Sequence, residues 1–314
     1  MFVSRIFVSL TTTCTLLTQV LALSSPPSGA ITIGPNGKYA KISDGLADKS
    51  SSVYFIYAGT YKEQVNITRP NLKIYGETQV PLSYSGNTVT ITNNIPASIA
   101  GSNDLSGTVR VEAANVSLYN LNIANTVGAG TDKQAIALSV QEGQFGAYGL
   151  KLTGYQDTLL ANVGSEFYGN CWIEGATDFI FGMRASIWIT HSVINTVASG
   201  WITASGRSSD DANWYVIDHS TIQGTGTAYL GRPWRDYARV VFQNSVLNSN
   251  VPSAGWSIWN TGTPQTDHVT FAEYNNSGAG AAGSRASFAT KLSAPVSITT
   301  VLGSTSWVDS QFLL

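Results

Sequence analysis

The chain has 314 residues with no Pro-rich, Gly/Ser-rich or charge-run linker, and elongated all-β folds often run to this length, so a single domain is expected. Charged residues make up only 11%, and Ser, Thr, Asn and Gly supply most of the polarity, which suits a surface exposed outside a cell. A formal net charge of −2 offers no basic stripe for phosphates, which argues against nucleic acid and an anionic membrane as partners; a neutral or masked polyanion would meet little repulsion.

Residues 1–22 carry Arg5, an apolar run from Ile6 to Leu21, and Ala22 at a small-residue cleavage point. This pattern predicts a signal peptide and a secreted, extracellular protein, leaving residues 23–314 as the mature domain. Ser9, Thr11 to Thr13 and Gln19 interrupt the run, and its apolar part is shorter than the ~20 residues a membrane span requires. Glycosylation acceptors at Asn66, Asn115 and Asn275 fit the same compartment. Cys14 falls in the leader, so mature Cys171 has no intramolecular partner. Beside Trp172 and Ile173, its thiol reads as buried and inert rather than nucleophilic.

From Ile31 onward, short β-branched and aromatic runs are punctuated by Gly, Asn and Ser, and helical periodicity is scarce. A polar or small residue recurs three positions before a bulky one: Asn120 and Ile123, Gly149 and Leu152, Asn170 and Ile173, His191 and Ile194, His219 and Ile222, Asn244 and Leu247, His268 and Phe271. The spacings are 29, 21, 21, 28, 25 and 24 residues. Irregular periods of this size predict a parallel β-helix, with stacked aliphatic residues inside and insertions leaving between the strands. An antiparallel sandwich or barrel would show two-residue turn signals, and Asn36-Gly37 is the one such Asn-Gly dipeptide.

Asp157 follows Leu152 by five residues, as Asp178 follows Ile173, so the two take equivalent places on successive coils. Parallel strands lie ~4.8 Å apart, so outward-facing carboxylates would be separated by roughly 5 Å. At an effective dielectric of about 20, two charges at that distance repel by roughly 3 kcal/mol, enough to split their apparent pKa values by about two units. One carboxyl can then stay protonated beside an ionised neighbour, as acid and nucleophile or base chemistry requires. The bland alternative is a pair of turn aspartates accepting backbone hydrogen bonds.

GYQDTLL from Gly154, DFIFG from Asp178 and LGRPW from Leu230 resemble the signatures of pectin methylesterases, or pectinesterases, carbohydrate esterase family eight, in its secreted microbial or fungal-like type. GTYKEQV, QAIALSV, EFYGNCWIEGATDFIFG and FAEYNNSGAGA extend the likeness over nearly the whole mature chain. The resemblance implies a right-handed parallel β-helix and a cofactor-free, metal-free esterase acting on methyl-esterified polygalacturonate; we expect a monomer. It further implies Asp178 as nucleophile, Asp157 as general acid/base, Gln134 and Gln156 at the developing oxyanion, and Arg232 orienting the nucleophile. Trp234, Tyr155 and Phe181 are the implied sugar contacts. Arg232 is expected closer to Asp178 than to Asp157, lowering the pKa of the nucleophile while burial and repulsion raise that of the acid. Trp234, between Pro233 and Arg235 in a polar stretch, is read as open to a carbohydrate ring; Trp256 and Trp259 are either cleft residues or packing residues.

Rival chemistries find less support. No Gly-x-Ser-x-Gly elbow occurs, and His191, His219 and His268 all fall on the repeat position, which favours a structural role over a triad or zinc site. A calcium-dependent lyase would need clustered acidic ligands, and carboxylates are sparse. A polygalacturonase would use paired aspartates in sequence surroundings that are missing here. A carbohydrate-binding β-helix without activity would have no need of Asp157, Asp178 and Arg232 together.

Overall fold

A computed structural model describes residues 23–313, so residues 1–22, expected to form a signal peptide, and Cys14 among them lie outside the described residues. The architecture is a parallel β-helix with three walls, and every pairing between its named strands is parallel. The first wall is an eleven-stranded sheet running from Ile31–Ile33 to Ala289–Lys291. A second, thirteen-stranded sheet supplies the other two walls. The second wall begins with Gly59–Lys62, Val89–Asn93, Leu121–Asn125 and Lys151–Thr153, and the third with Val65–Ile67, Val109–Val111, Leu138–Val140 and Leu159–Ala161. These two walls merge because the long strands Trp172–Gly182 and Val193–Ser205 run through the corner between them.

The aliphatic ladder predicted from the repeat forms in register. Ile91, Ile123, Leu152, Ile173, Ile194, Ile222 and Leu247 pair successively along the second wall, and all are buried. On the first wall Ile74, Leu118, Ala147, Tyr168, Ile189, Ile217 and Phe242 stack the same way. Stacking these apolar side chains removes their surface from water along the whole axis.

The polar member of the repeat also has a physical reason. Asn120, Gly149, Asn170, His191, His219 and Asn244 sit at the turn from the first wall to the second, all with φ between 42° and 60°. This left-handed conformation suits Gly and, among other residues, Asn, Asp and His. His268 departs from the expectation. It precedes the first-wall strand Thr270–Tyr274, stacks on Tyr237 at 4.5 Å, and Phe271 pairs with Val240 rather than extending the second-wall ladder. Asn275 takes the turn position instead, with φ 49° and its Nδ2 donating to Asn244 Oδ1 at 3.1 Å. His191 and His219 stack on each other at 5.3 Å, as structural residues of that turn.

Cys171 is fully buried in the core, and burial pushes its thiol up to about 12. Asn66 and Asn275 are exposed, whereas Asn115 is half-buried and donates to Asn71 Oδ1 at 2.7 Å. Among the described residues no helix is long and apolar enough to cross a membrane.

Candidate active site

The site forms at the corner between the second and third walls. Asp157 lies in the short gap between Lys151–Thr153 and Leu159–Ala161, and Asp178 lies within Trp172–Gly182 where that strand passes from one wall to the next. Leu159 pairs with Ile180 and Gln156 bridges to Thr177, so Asp157 and Asp178 are aligned on adjacent coils. The Asp157 amide donates to the Thr177 carbonyl at 3.0 Å and ties the coils together at this point. Both aspartates adopt left-handed backbone, φ 63° and 50°. Short polar side chains tolerate that conformation best among non-glycine residues. Both side chains are buried, and both line one cleft of about 280 Å³.

Arg232 arrives from the third wall, immediately after strand Ala228–Gly231, with its amide donating to the Thr203 carbonyl at 3.0 Å. Its guanidinium grips Asp178 as a fork: Nε donates to Oδ1 at 2.9 Å and Nη2 to Oδ2 at 2.6 Å. No such bond reaches Asp157, so the arginine distinguishes the two carboxyls as expected.

The electrostatic outcome is partly different. Burial, then repulsion from Asp178, holds Asp157 well above the usual carboxylate range, with Arg232 opposing. Asp178 is also raised: burial outweighs the hydrogen bonds and charge of Arg232, which act to lower it. The expectation of a depressed Asp178 is thereby corrected, because a buried carboxyl loses more hydration than one partly exposed guanidinium returns. The order survives. Asp157 lacks the fork and retains its proton more strongly.

Gln134 and Gln156 are half-buried and line the same cleft. Ala135 N donates to the Gln156 carbonyl at 3.1 Å, which places the two amides on neighbouring coils beside the aspartates. Phe181 forms an apolar floor with Ile136, Leu160 and Ala204, and Trp234 meets it edge-on at 6.1 Å. A Cβ on Gly206 would come within 2.5 Å of the Trp234 ring, so a glycine there lets the indole lie against the third wall. Trp234 is half-buried with one side in the cleft. Tyr155 is not among the cleft-lining residues; its carbonyl serves the corner, accepting from Ala176 N at 2.7 Å.

The two remaining tryptophan candidates separate. Trp256 is 1% exposed and stacks on Phe271 at 4.4 Å, so it packs. Trp259 lines the cleft, and its ring lies 4.2 Å from the Arg232 guanidinium carbon. Trp201, Asn103 and Asp132 were not found from the sequence. Trp201 lies 3.7 Å from the same guanidinium, Asn103 Nδ2 is 3.5 Å from Asp157 Oδ2, and Asp132 lines the cleft mouth. Asn103 and Asp132 come from loops outside the repeat, which carry no spacing signal. Among the described residues no group of three or more His, Cys, Asp or Glu is arranged to hold a metal.

A family model described as Pectinesterase matches residues 31–294. A pectinesterase of Aspergillus aculeatus is 48% identical over 92% of this chain and 94% of its own length. Among solved structures, the pectin methylesterase of Aspergillus niger superposes with a TM-score of 0.87 at 42% identity, covering 93% of this chain and 100% of that one. The carrot pectin methylesterase gives 0.82 at 26% identity, covering 92% and 98%.

Proposed function

Since the chain belongs to the pectinesterase family and is a carboxylic ester hydrolase that removes methyl esters from pectin, we propose that its reaction runs through a covalent intermediate on Asp178. Ionised Asp178 attacks the C6 ester carbonyl of a galacturonate unit, and the Gln134 and Gln156 amides donate hydrogen bonds to the tetrahedral oxyanion. As the carbon–oxygen bond to the methoxy group breaks, protonated Asp157 gives its proton to the leaving oxygen, and methanol departs. The acyl group is left as an anhydride on Asp178. Water then attacks that anhydride while Asp157, now ionised, takes a proton from it. Cleavage of the anhydride releases the polymer carboxylate and restores both aspartates.

The observation that carries this reading is the asymmetry of the pair. Asp178 alone is forked by Arg232, and Asp157 lies one coil away with its pKa well raised. A fork opposes the burial that favours protonation of the nucleophile and fixes its plane; a buried, unforked neighbour holds its proton more strongly. Trp234 and Phe181 offer the apolar surface on which a pyranose ring packs, with polar groups above it. Tyr155, half-buried at the same corner and directly preceding Gln156, remains the third proposed sugar contact.

Residues 1–22 are assigned as a signal peptide, and the mature chain is assigned as a secreted monomer without cofactor, carrying glycan acceptors at Asn66, Asn115 and Asn275. The discriminating experiment treats highly methylated pectin with the purified protein and with Asp178→Asn, measuring methanol together with polymer size. Methanol release at constant size, lost in the variant, is expected. A variant that still turns over removes Asp178 as nucleophile, and chain shortening by the native protein would indicate a glycosidic rather than ester-cleaving activity.

A further inference from the structure

The Arg232 guanidinium carbon lies 3.7 Å from the centroid of the Trp201 ring and 4.2 Å from that of Trp259. The guanidinium therefore lies over both indole rings at once. The two rings differ in what else they touch. Trp259 lines the cleft and comes from the segment between Val246–Leu247 and Thr270–Tyr274, which contains no regular strand. Trp201 belongs to the long strand Val193–Ser205, is half-buried, and is not among the cleft-lining residues. Its Cα pairs with Thr177 on one side and Tyr229 on the other. The register shifts on both sides of Thr177, at the irregularity that also places Asp178.

We propose that Trp201 is a positioning residue for the esterase reaction: its indole is the fixed platform that holds the guanidinium of Arg232 coplanar with the Asp178 carboxylate. The fork demands that coplanarity, because both N–H vectors must meet both carboxylate oxygens at once. Arginine has a long flexible stem, and only stacking on a ring held by the β-helix removes its rotational freedom without consuming a donor. The indole face also contributes quadrupole attraction in a site largely shielded from water. Trp201 therefore acts through Arg232 on the nucleophile, and this rests on the reading of Asp178 as that nucleophile.

The test compares Trp201→Leu, which fills space without a π face, with Trp201→Phe, which keeps one. Methanol release on methylated pectin gives kcat, KM and the pH dependence of kcat/KM, and thermal melts report folding. For Trp201→Leu, kcat should fall roughly tenfold, the loss expected from one cation–π partner in a desolvated site. KM should change much less than kcat, because Trp201 itself does not line the cleft. The acid limb should move to higher pH, since a loosened Arg232 no longer opposes the burial that raises Asp178. Trp201→Phe should recover most of kcat and return the acid limb.

A folded Trp201→Leu protein with native kcat and native acid limb overturns the proposal, as does a loss of kcat that tracks only the melting temperature in both variants. If Trp201→Leu does not fold, Trp201→Met serves, because its unbranched chain fills irregular space and has no ring. Asp178→Asn in the same assay separates the two levels. A dead Asp178→Asn beside a native-like Trp201→Leu defeats the platform alone, whereas an active Asp178→Asn defeats the nucleophile assignment beneath it.

Discussion

Arg232 reaches Asp178 from two coils further along the helix, and both nitrogens of its fork, Nε and Nη2, find a separate carboxylate oxygen, at 2.9 and 2.6 Å. Lysine in its place would keep the charge as a compact ammonium on a flexible stem, with no planar fork for the carboxylate and no flat face to lie over Trp201 and Trp259. Arg232→Lys should lower kcat by at least about a hundredfold, the scale of losing one preorganised electrostatic partner. Methanol release under saturating pectin, with circular dichroism to verify folding, measures this. Near-native turnover would reduce the fork to a stability contact.

The parts of this arrangement readable in the sequence are those that two constraints imposed together on every coil. At the turn into the second wall the backbone needs a left-handed residue, and three positions later the interior needs an aliphatic side chain, so Asn170 with Ile173 or His219 with Ile222 leave a paired trace. His268 with Phe271 mimics that trace because a polar residue also precedes the first-wall strand Thr270–Tyr274, after an insertion that displaces the coil. Asp157 and Asp178 were legible for the same reason, since no insertion separates their two coils. Spacing could not find Trp201, whose pairing with Thr177 sits between two register shifts, or Arg232, which only the resemblance marked. Nor does sequence tell which way an aromatic faces: Trp256 and Trp259 share one segment, and one packs while the other opens to the cleft.

Asp157 should make the fold sensitive to pH in a definite direction. Its pKa in the folded chain is raised well above 3.8, chiefly by burial, so the native state holds a proton that the unfolded chain has already released. Its contribution is fully present below the ordinary carboxylate value and is lost as pH rises through the folded value. Asp157→Asn removes that dependence. The variant should melt higher than the native protein at neutral and mildly alkaline pH, with the gap closing toward pH ~4. A gap that widens on acidification would mean that Asp157 is stabilised as the anion.

Cys171 should be chemically silent in the native protein. Burial raises its thiol to about 12, and its Sγ contacts the carbonyls of Gly169 at 3.4 Å and Ala147 at 3.6 Å inside the core. At pH 8 almost none would be thiolate, the reactive form. A disulfide-exchange reagent should therefore leave native protein unmodified and active, and should titrate one thiol per mature chain only in denaturant. Rapid labelling of the native state would place Cys171 in an opening not seen in the fold.

In the activity profile the two carboxyls act as one unit. Turnover requires Asp178 ionised and Asp157 protonated at the start of each cycle, so activity should fall on both sides of an optimum. Both pKa values are raised, Asp157 the more strongly because it lacks the arginine fork and faces the charge of Asp178. The acid limb, where Asp178 takes up a proton, should consequently lie above 3.8 rather than below it. The alkaline limb, where Asp157 loses its proton, should lie higher again. The two midpoints belong to the coupled pair, so removing one carboxyl must move the other's constant. In Asp178→Asn, which lacks the nucleophile's charge, the Asp157 titration followed by carboxyl carbon NMR should shift downward, because the repulsion that raises it is gone. Arg232, released from its fork, would then add its own lowering effect on Asp157. An unchanged Asp157 titration in that variant would show that the carboxyls do not sense each other, and with it the division of acid and nucleophile between two stacked coils would fail.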